Sequence, residues 1–316
     1  MLAKIMKLRV APYQASVVGR GNIASPDLLL LCQIAMFSVL IGLIGIDLAG
    51  LNLGGQAATI IACIGLLIFG LPHGSLDIAV LAGANRRGTR WLIGVISLYL
   101  GCAAAMYCLW WIAPVAALGF FLLLATIHFA EDWRGELPPF LAIGSAVAML
   151  TSPVFLHRDA LGTIFVKLTG STAATFLVEI ATLIAPVALG AALVGIAATE
   201  RRTKAFETAT ALLGMIVLPP IVGFALFFCL SHSPANLASA VSRAGKGLFG
   251  YRYIEMVAVT LASLGMAALI FADFALASVT DGAIAASFVT LSILTVPHMV
   301  VPLITGALDR RRRALA

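Results

Sequence analysis

Four of the chain's five histidines fall in or at the end of four different apolar runs: His73, His128, His232 and His298. An ionisable group at membrane depth is expensive, roughly 2.5–3.5 kcal/mol for a central Asp on insertion scales, so such groups usually mark a pathway or a site. Two of the four have an acid four residues on, His73 with Asp77 and His128 with Asp132, and Glu131 lies one residue nearer. Four residues is about one helical turn, so each pair shares a face. The acid can then hold a ring N–H or help balance a buried metal charge; at the same spacing it can instead face the partner helix. Two histidines follow proline, as Pro72-His73 and Pro297-His298, and Pro219-Pro220 breaks the segment leading to His232. Proline removes a backbone donor and kinks a helix, although prolines are also common in membrane helices. His157 sits in a connection beside Arg158 and Asp159 and reads as a solvated or headgroup residue. Four neutral imidazoles suit iron, copper or zinc and leave two positions open on an octahedral metal. In iron those positions would admit dioxygen beside a substrate. A proton relay and interhelical hydrogen bonding are the other uses of such histidines.

Composition defines the elements that must carry them. Of 316 residues, 61% are hydrophobic and 11% charged, against about 45–50% and about 25% in soluble domains. Mean hydropathy is +1.07. A water-soluble globule cannot hide that much apolar side chain, and disorder, a collagen-like repeat and a disulfide scaffold are excluded as well. The expected fold is all-α, a polytopic transmembrane helix bundle. A net charge of +6 would suit nucleic acid. The cations, however, cluster in short stretches between apolar runs: Arg86, Arg87 and Arg90; Arg201, Arg202 and Lys204; Arg310 to Arg313. That pattern orients spans, so no nucleic-acid partner is expected. Cys32, Cys63, Cys102, Cys108 and Cys229 lie inside apolar runs without paired spacing and read as packing residues.

Nine apolar segments are expected, at about 28–46, 57–82, 91–111, 114–131, 139–156, 176–198, 209–231, 254–276 and 284–306. The chain divides into a basic cytoplasmic N-terminal segment (1–26), a single transmembrane catalytic domain (27–308) and a basic cytoplasmic tail (309–316). The first run is long enough to span and reads as uncleaved rather than as a signal peptide. Two cytoplasmic ends in an inner (plasma) membrane require an even number of crossings. The weakest segment, 139–156, opens at Pro138-Pro139 and carries Ser152-Pro153 near its end. Taking it as not fully crossing leaves about eight spans. It also brings all four histidines, each in the C-terminal half of its segment, to one level near the cytoplasmic side. The cost is that Arg201, Arg202 and Lys204 fall outside, partly offset by Glu200 and Glu207.

Phe69-Gly70-Leu71-Pro72-His73-Gly74-Ser75-Leu76-Asp77 resembles the PHG-x-x-D signature of the Brp/Blh family, the bacterial and archaeal β-carotene 15,15'-dioxygenases. Ile127-His128-Phe129-Ala130-Glu131-Asp132 is similar to that family's second histidine block, and Phe228-Cys229-Leu230-Ser231-His232-Ser233 to its His-Ser block. Leu294-Thr295-Val296-Pro297-His298-Met299 resembles the closing Pro-His block, and all four occur in family order. The resemblance implies a multi-span enzyme with non-haem Fe(2+) held by histidines. Such an enzyme uses O2 to split the central double bond of β-carotene, or a related carotenoid, into two all-trans retinal that serve a rhodopsin. The metal set it implies is His73, His128, His232 and His298, with Asp77, Glu131 and Asp132 around it. The His-Ser block usually continues to a second histidine four residues on, where this chain has Asn236. Asn236 is then a weaker substitute ligand, or His298 completes the set, or the site has three histidines and an open or water-filled position, or the chain is a relative that no longer cleaves carotene. Phe120, Phe121, Phe129, Phe227 and Phe228 line a tunnel on this reading, and face lipid or pack on the plain one.

Two other classes compete. A proton-coupled transporter would use Asp77, Glu179, Asp273 and the histidines as a relay. A non-catalytic carotenoid- or retinal-binding protein would hold pigment without cleaving it. A rhodopsin needs a lysine inside a late span, and Lys4, Lys7, Lys167, Lys204 and Lys246 all lie outside clear spans. A di-iron desaturase needs His-x-x-His-His boxes, and the sequence has none.

Overall fold

The computed structural model describes residues 26–77, 89–244 and 251–314. The basic clusters at Lys4 to Arg20 and Arg86-Arg87, and Lys246, lie outside the described residues. The described chain is helical and contains no strand. In order the helices are α1 (Pro26–Leu48), α2 (Gln56–Gly74), α3 (Thr89–Ile112), α4 (Pro114–Ala130), α5 (Pro139–Thr151), α6 (Val154–Thr169) and α7 (Thr175–Ala198). They continue as α8 (Arg202–Val217), α9 (Pro220–Phe227), α10 (Ser233–Ala244), α11 (Tyr251–Phe274) and α12 (Val279–Ala314). Seven helical stretches are long and apolar enough to cross a membrane, and eight if the bent pair α5–α6 counts as one. The all-α bundle read from composition is therefore the fold.

Burial orders the bundle. The apolar stretch of α12 is 67% inside and that of α9–α10 is 61%, whereas α1, α3 and α11 each bury 17%. The outer helices present Leu183, Val187 and Leu269 outward, as helices facing lipid do. The interior is threaded with hydroxyls that the apolar composition concealed. Ser287 donates to the Ala283 carbonyl one turn back and lies 3.1 Å from the Cys63 carbonyl of α2. Trp110 Nε1 donates to Ser292 at 2.7 Å. Such interhelical bonds tie helices together where water is absent.

Two segments differ from expectation, each at a proline. The run 139–156 is α5, 13 residues and about 20 Å long, too short for an apolar core of about 30 Å. The chain then bends by 65° at Ser152-Pro153 and continues as α6, which had read as a connection because of Arg158, Asp159 and Lys167. The two cations are paired: Arg158 with Glu179, and Lys167 with Asp281, both at 2.6 Å. Asp281 lies in the first turn of α12, so α5 and α6 together run the length of the bundle.

The run 209–231 is two helices rather than one span. Leu218 and Pro219 each precede a proline and are extended (ψ 153° and 142°), which stops α8 and turns the chain. Helix α9 then returns along α8, and a Cβ on Gly223 would stand 2.8 Å from the Gly214 carbonyl oxygen and 3.2 Å from Met215 Cα. This hairpin corrects the topology. Arg201 pairs with Glu136 in the α4–α5 connection, and Trp133 Nε1 donates to Thr208 at 3.0 Å. The Arg201–Lys204 cluster thus sits at the same end of the bundle as the connection that follows His128, not at the opposite one.

Two outcomes follow. Reporters placed after residues 135 and 205 will read the same side of the membrane; opposite sides would refute the hairpin. Gly223→Ala will lower stability in detergent melts by about 1–3 kcal/mol, because its Cβ meets backbone. Gly42→Ala, with nothing within 4 Å, will not.

Candidate functional site

Local sequence explains how the histidine-bearing ends are shaped. Pro72 lies in the last turn of α2, where its missing N–H loosens the ladder. Ser75 Oγ caps the end by bonding the Pro72 carbonyl at 2.9 Å and Thr260 of α11 at 3.0 Å, which leaves Asp77 just beyond. His73 belongs to this last turn, and its side chain lies outside the described residues. His128 stands in the last turn of α4, ahead of the tight turn Glu131–Trp133 that presents Asp132. Between α9 and α10 the residues Phe228–His232 form a widened π turn, in which Ser233 N–H donates to the Phe228 carbonyl five residues back. Pro234 has no N–H for a regular ladder here, and the extra residue re-aims His232 inward. Ser233 Oγ donates to the Phe69 carbonyl, pinning this turn to α2. His298 follows Pro297 on α12.

Three of the histidines meet. His128 and His232 approach with Nε2 atoms 3.1 Å apart, and the His298 ring stands edge-on to His128 with centroids 4.9 Å apart. His232 is wholly buried and His128 is buried. His232 Nδ1 lies 2.8 Å from Asp132 Oδ2, and His298 Nδ1 lies 2.7 and 2.8 Å from the two oxygens of Asp77. An ionised carboxylate only accepts, so each Nδ1 carries the proton and each Nε2 keeps its lone pair. The one-turn pairs read from sequence are thus exchanged: Asp132 serves His232 rather than His128, and Asp77 serves His298. Tyr99 adds a long bond of 3.4 Å to Asp77.

Among the described residues no group of three or more His, Cys, Asp or Glu is arranged as a closed metal site. The donors nonetheless suit a metal. Two ligands at about 2.1 Å and a right angle stand about 3.0 Å apart, which matches the Nε2 pair. Imidazoles whose outer N–H is held by a carboxylate are the usual form of metal-binding histidine.

Other expected residues fall elsewhere. Glu131 pairs with Arg134 at 2.6 Å and its side chain is 43% exposed, so it points away from the histidines. His157 is not solvated: its Nε2 bonds the Val217 carbonyl at 3.0 Å and caps the end of α8. Glu179 is held by Arg158, and Asp273 is exposed, so neither joins Asp77 in a relay. Asn236 touches both Asp132 and His232.

An apolar cleft opens onto His128 and His298, lined by Gly70, Phe121, Phe129, Phe224, Phe228 and Leu291 among others. Phe129 and Phe228 also pack on the His232 ring, at 4.6 and 5.3 Å between centroids. Phe227 packs there too without lining the cleft, whereas Phe120 is exposed on the outside of the bundle. A Cβ on Gly70 would stand 2.8 Å from Leu291 Cδ2 and 3.0 Å from Phe228 Cε1, so a larger residue here would push those side-chain ends aside.

A supporting cluster escaped the sequence reading. Glu207 accepts from Ser231 Oγ, from Lys204 at 3.1 Å and from Gln33 Nε2 at 3.2 Å. Lys204 also stands 5.6 Å over the Trp133 ring. This cluster fastens the π turn from behind. Gln33, a lone amide in an apolar run, was its one sequence signal.

The sequence model of the family described as beta-carotene 15,15'-dioxygenase matches residues 64–304, which include all four histidine blocks. A beta-carotene 15,15'-dioxygenase of an uncultured marine bacterium is 27% identical over 254 residues, covering 74% of this chain and 90% of that protein. A probable beta-carotene 15,15'-dioxygenase Blh of Halobacterium salinarum is 28% identical over 284 residues, covering 74% and 80%. No solved structure matches.

The exchanged pairs make a prediction. On the reading that the imidazoles hold ferrous iron, Asp132→Ala and Asp77→Ala will each weaken its binding about 10–100-fold in chelator competition. Glu131→Ala, removing a residue that faces away, will leave it unchanged.

Proposed function

The chain belongs to the β-carotene 15,15'-dioxygenase family, and on that premise we propose that it cleaves the central 15,15' double bond of β-carotene, or of a related carotenoid, to two all-trans retinal. The observation that carries this reading is the convergence of His128, His232 and His298 from three helices on one apolar cleft, with two outer ring nitrogens held by Asp132 and Asp77. Their Nε2 atoms, with His73 as the fourth ligand, hold Fe(2+) on this reading. Iron supplies the activation of O2.

The remaining work belongs to the chain itself. The carotenoid is a water-insoluble polyene drawn from the bilayer, and the cleft offers it phenyl rings and aliphatic walls rather than hydrogen bonds. Exchanging one C=C bond and one O2 for two C=O bonds consumes no proton and no outside electron. The site therefore needs no acid or base beside the substrate, and its two buried acids are free to orient imidazoles. An inner-membrane location with both ends in the cytoplasm, and hand-over of retinal to a rhodopsin, complete the proposal.

The test is expression in bacteria that accumulate β-carotene, with β-carotene and retinal quantified by chromatography. Colour will fade as retinal appears, and His73→Ala and His128→Ala will abolish both changes. Retained colour without retinal, from protein confirmed in the membrane, would overturn the cleavage. Iron in that protein would then point to another substrate, and its absence to a pigment-binding or transporting relative.

A further inference from the structure

Asn236 stands one helical turn after His232, so the two side chains share a face of α10. Its carboxamide nitrogen lies 3.0 Å from the His232 carbonyl oxygen and 3.4 Å from Asp132 Oδ1. The same nitrogen stands 3.3 Å from His232 Nδ1, whose proton is directed to Asp132 Oδ2; toward the acceptors at 3.0 and 3.4 Å the amide presents its NH2. Asp132 is then gripped at both ends of its carboxylate. Oδ2 takes the Nδ1 proton of His232 at 2.8 Å and Oδ1 takes Asn236. The side chains of His232 and Asp132 are 0% and 8% exposed, so bulk water does little to hold that carboxylate in place.

We propose that Asn236 is a positioning residue and not a metal ligand. Its NH2 fixes the rotation of Asp132, Asp132 holds His232 in the Nδ1–H tautomer, and Nε2 of His232 stays aimed at Nε2 of His128. The inference rests on the iron reading above. It also gives the departure from the family's second histidine a physical sense. The position no longer offers an imidazole, and it instead steadies the acid behind the imidazole one turn earlier.

The experiment uses the full chain in detergent, with ferrous-iron affinity measured by chelator competition and ligand set read from the absorption bands of the cobalt(II)-substituted protein. Asn236→Ala will weaken iron binding about 10–100-fold and leave the cobalt bands in place, since no ligand is lost. Asn236→Asp will weaken it further, because a second carboxylate then faces Asp132 Oδ1. The double variant Asp132→Asn with Asn236→Asp restores a donor facing an acceptor and will recover at least tenfold over Asn236→Asp. Shifted cobalt bands in Asn236→Ala, or iron bound by Asn236→Asp as tightly as by wild type, would make residue 236 an oxygen ligand and overturn the inference. So would unchanged affinity in Asn236→Ala. A wild-type chain that binds no iron would instead sink the iron reading itself, and this inference with it.

Discussion

The site depends on two carboxylate–imidazole pairs formed across helices inside an apolar bundle. A buried carboxylate left alone is costly by several kcal/mol, and a buried histidine whose ring N–H finds no acceptor loses a hydrogen bond. Each of these groups is tolerable here because the other is present. Asp132 reaches His232 from the turn after α4, and Asp77 reaches His298 from the end of α2. The pairs therefore do two things at once. They lock four elements together at one end of the bundle, and they settle which nitrogen of each imidazole faces inward. A helix that slid by one turn, about 5.4 Å, would strand the carboxylate and the ring N–H of a pair.

Backbone irregularity supplies the aim. Regular helices would carry His232 and His298 past one another as ordinary bundle residues. Prolines at 72, 234 and 297 loosen the ladders beside three of the histidines, and hydroxyls bond carbonyls close by: Ser75 on the Pro72 carbonyl, Ser233 on Phe69. The π turn before Ser233 adds a residue, which rotates His232 by about 100° relative to an uninterrupted helix. Glu207, Lys204 and Gln33 then brace that turn through Ser231. Distortion at the site is thus compensated by polar contacts that the apolar bulk of the sequence does not advertise.

The sequence made the fold class and the family legible, and it misplaced the path of the chain between the histidines. Composition requires a membrane bundle because nothing else accommodates so little charge. The histidines stood out because imidazole is rare and expensive at that depth. Depth in each segment also indicated parallel helices, which α2, α4, α9–α10 and α12 are. The crossing that made this work was misidentified. Hydropathy averages over a window and cannot register a turn of two residues, so Leu218-Pro219 inside 209–231 passed as the middle of a span. Conversely, the charges of α6 lowered its hydropathy although Glu179 and Asp281 pair with its two cations in three dimensions. Counting α8 and α9–α10 separately places Arg201 and Lys204 at the end that carries Glu136 and the connection after His128. The acid–histidine pairing was hidden for a related reason. Spacing of four residues establishes a shared face, and only the neighbouring helix decides what that face meets.

Placement of the site near one end of the bundle, with its cleft walled by phenyl rings, suits a substrate that arrives through lipid and leaves as a shorter, more polar product. Along the cleft the walls discriminate little beyond shape, because Phe, Leu and Gly offer no directed bonds. Selection of the bond to be cut then falls to distance: whichever double bond lies beside the imidazole nitrogens is the one presented to reaction. Gly70 lines that cleft, and a methyl group there would press on the side-chain ends of Leu291 and Phe228. Specificity in such a site rests on the shape of an apolar cleft, and the carboxylate–imidazole pairs fix where the imidazole nitrogens stand against it.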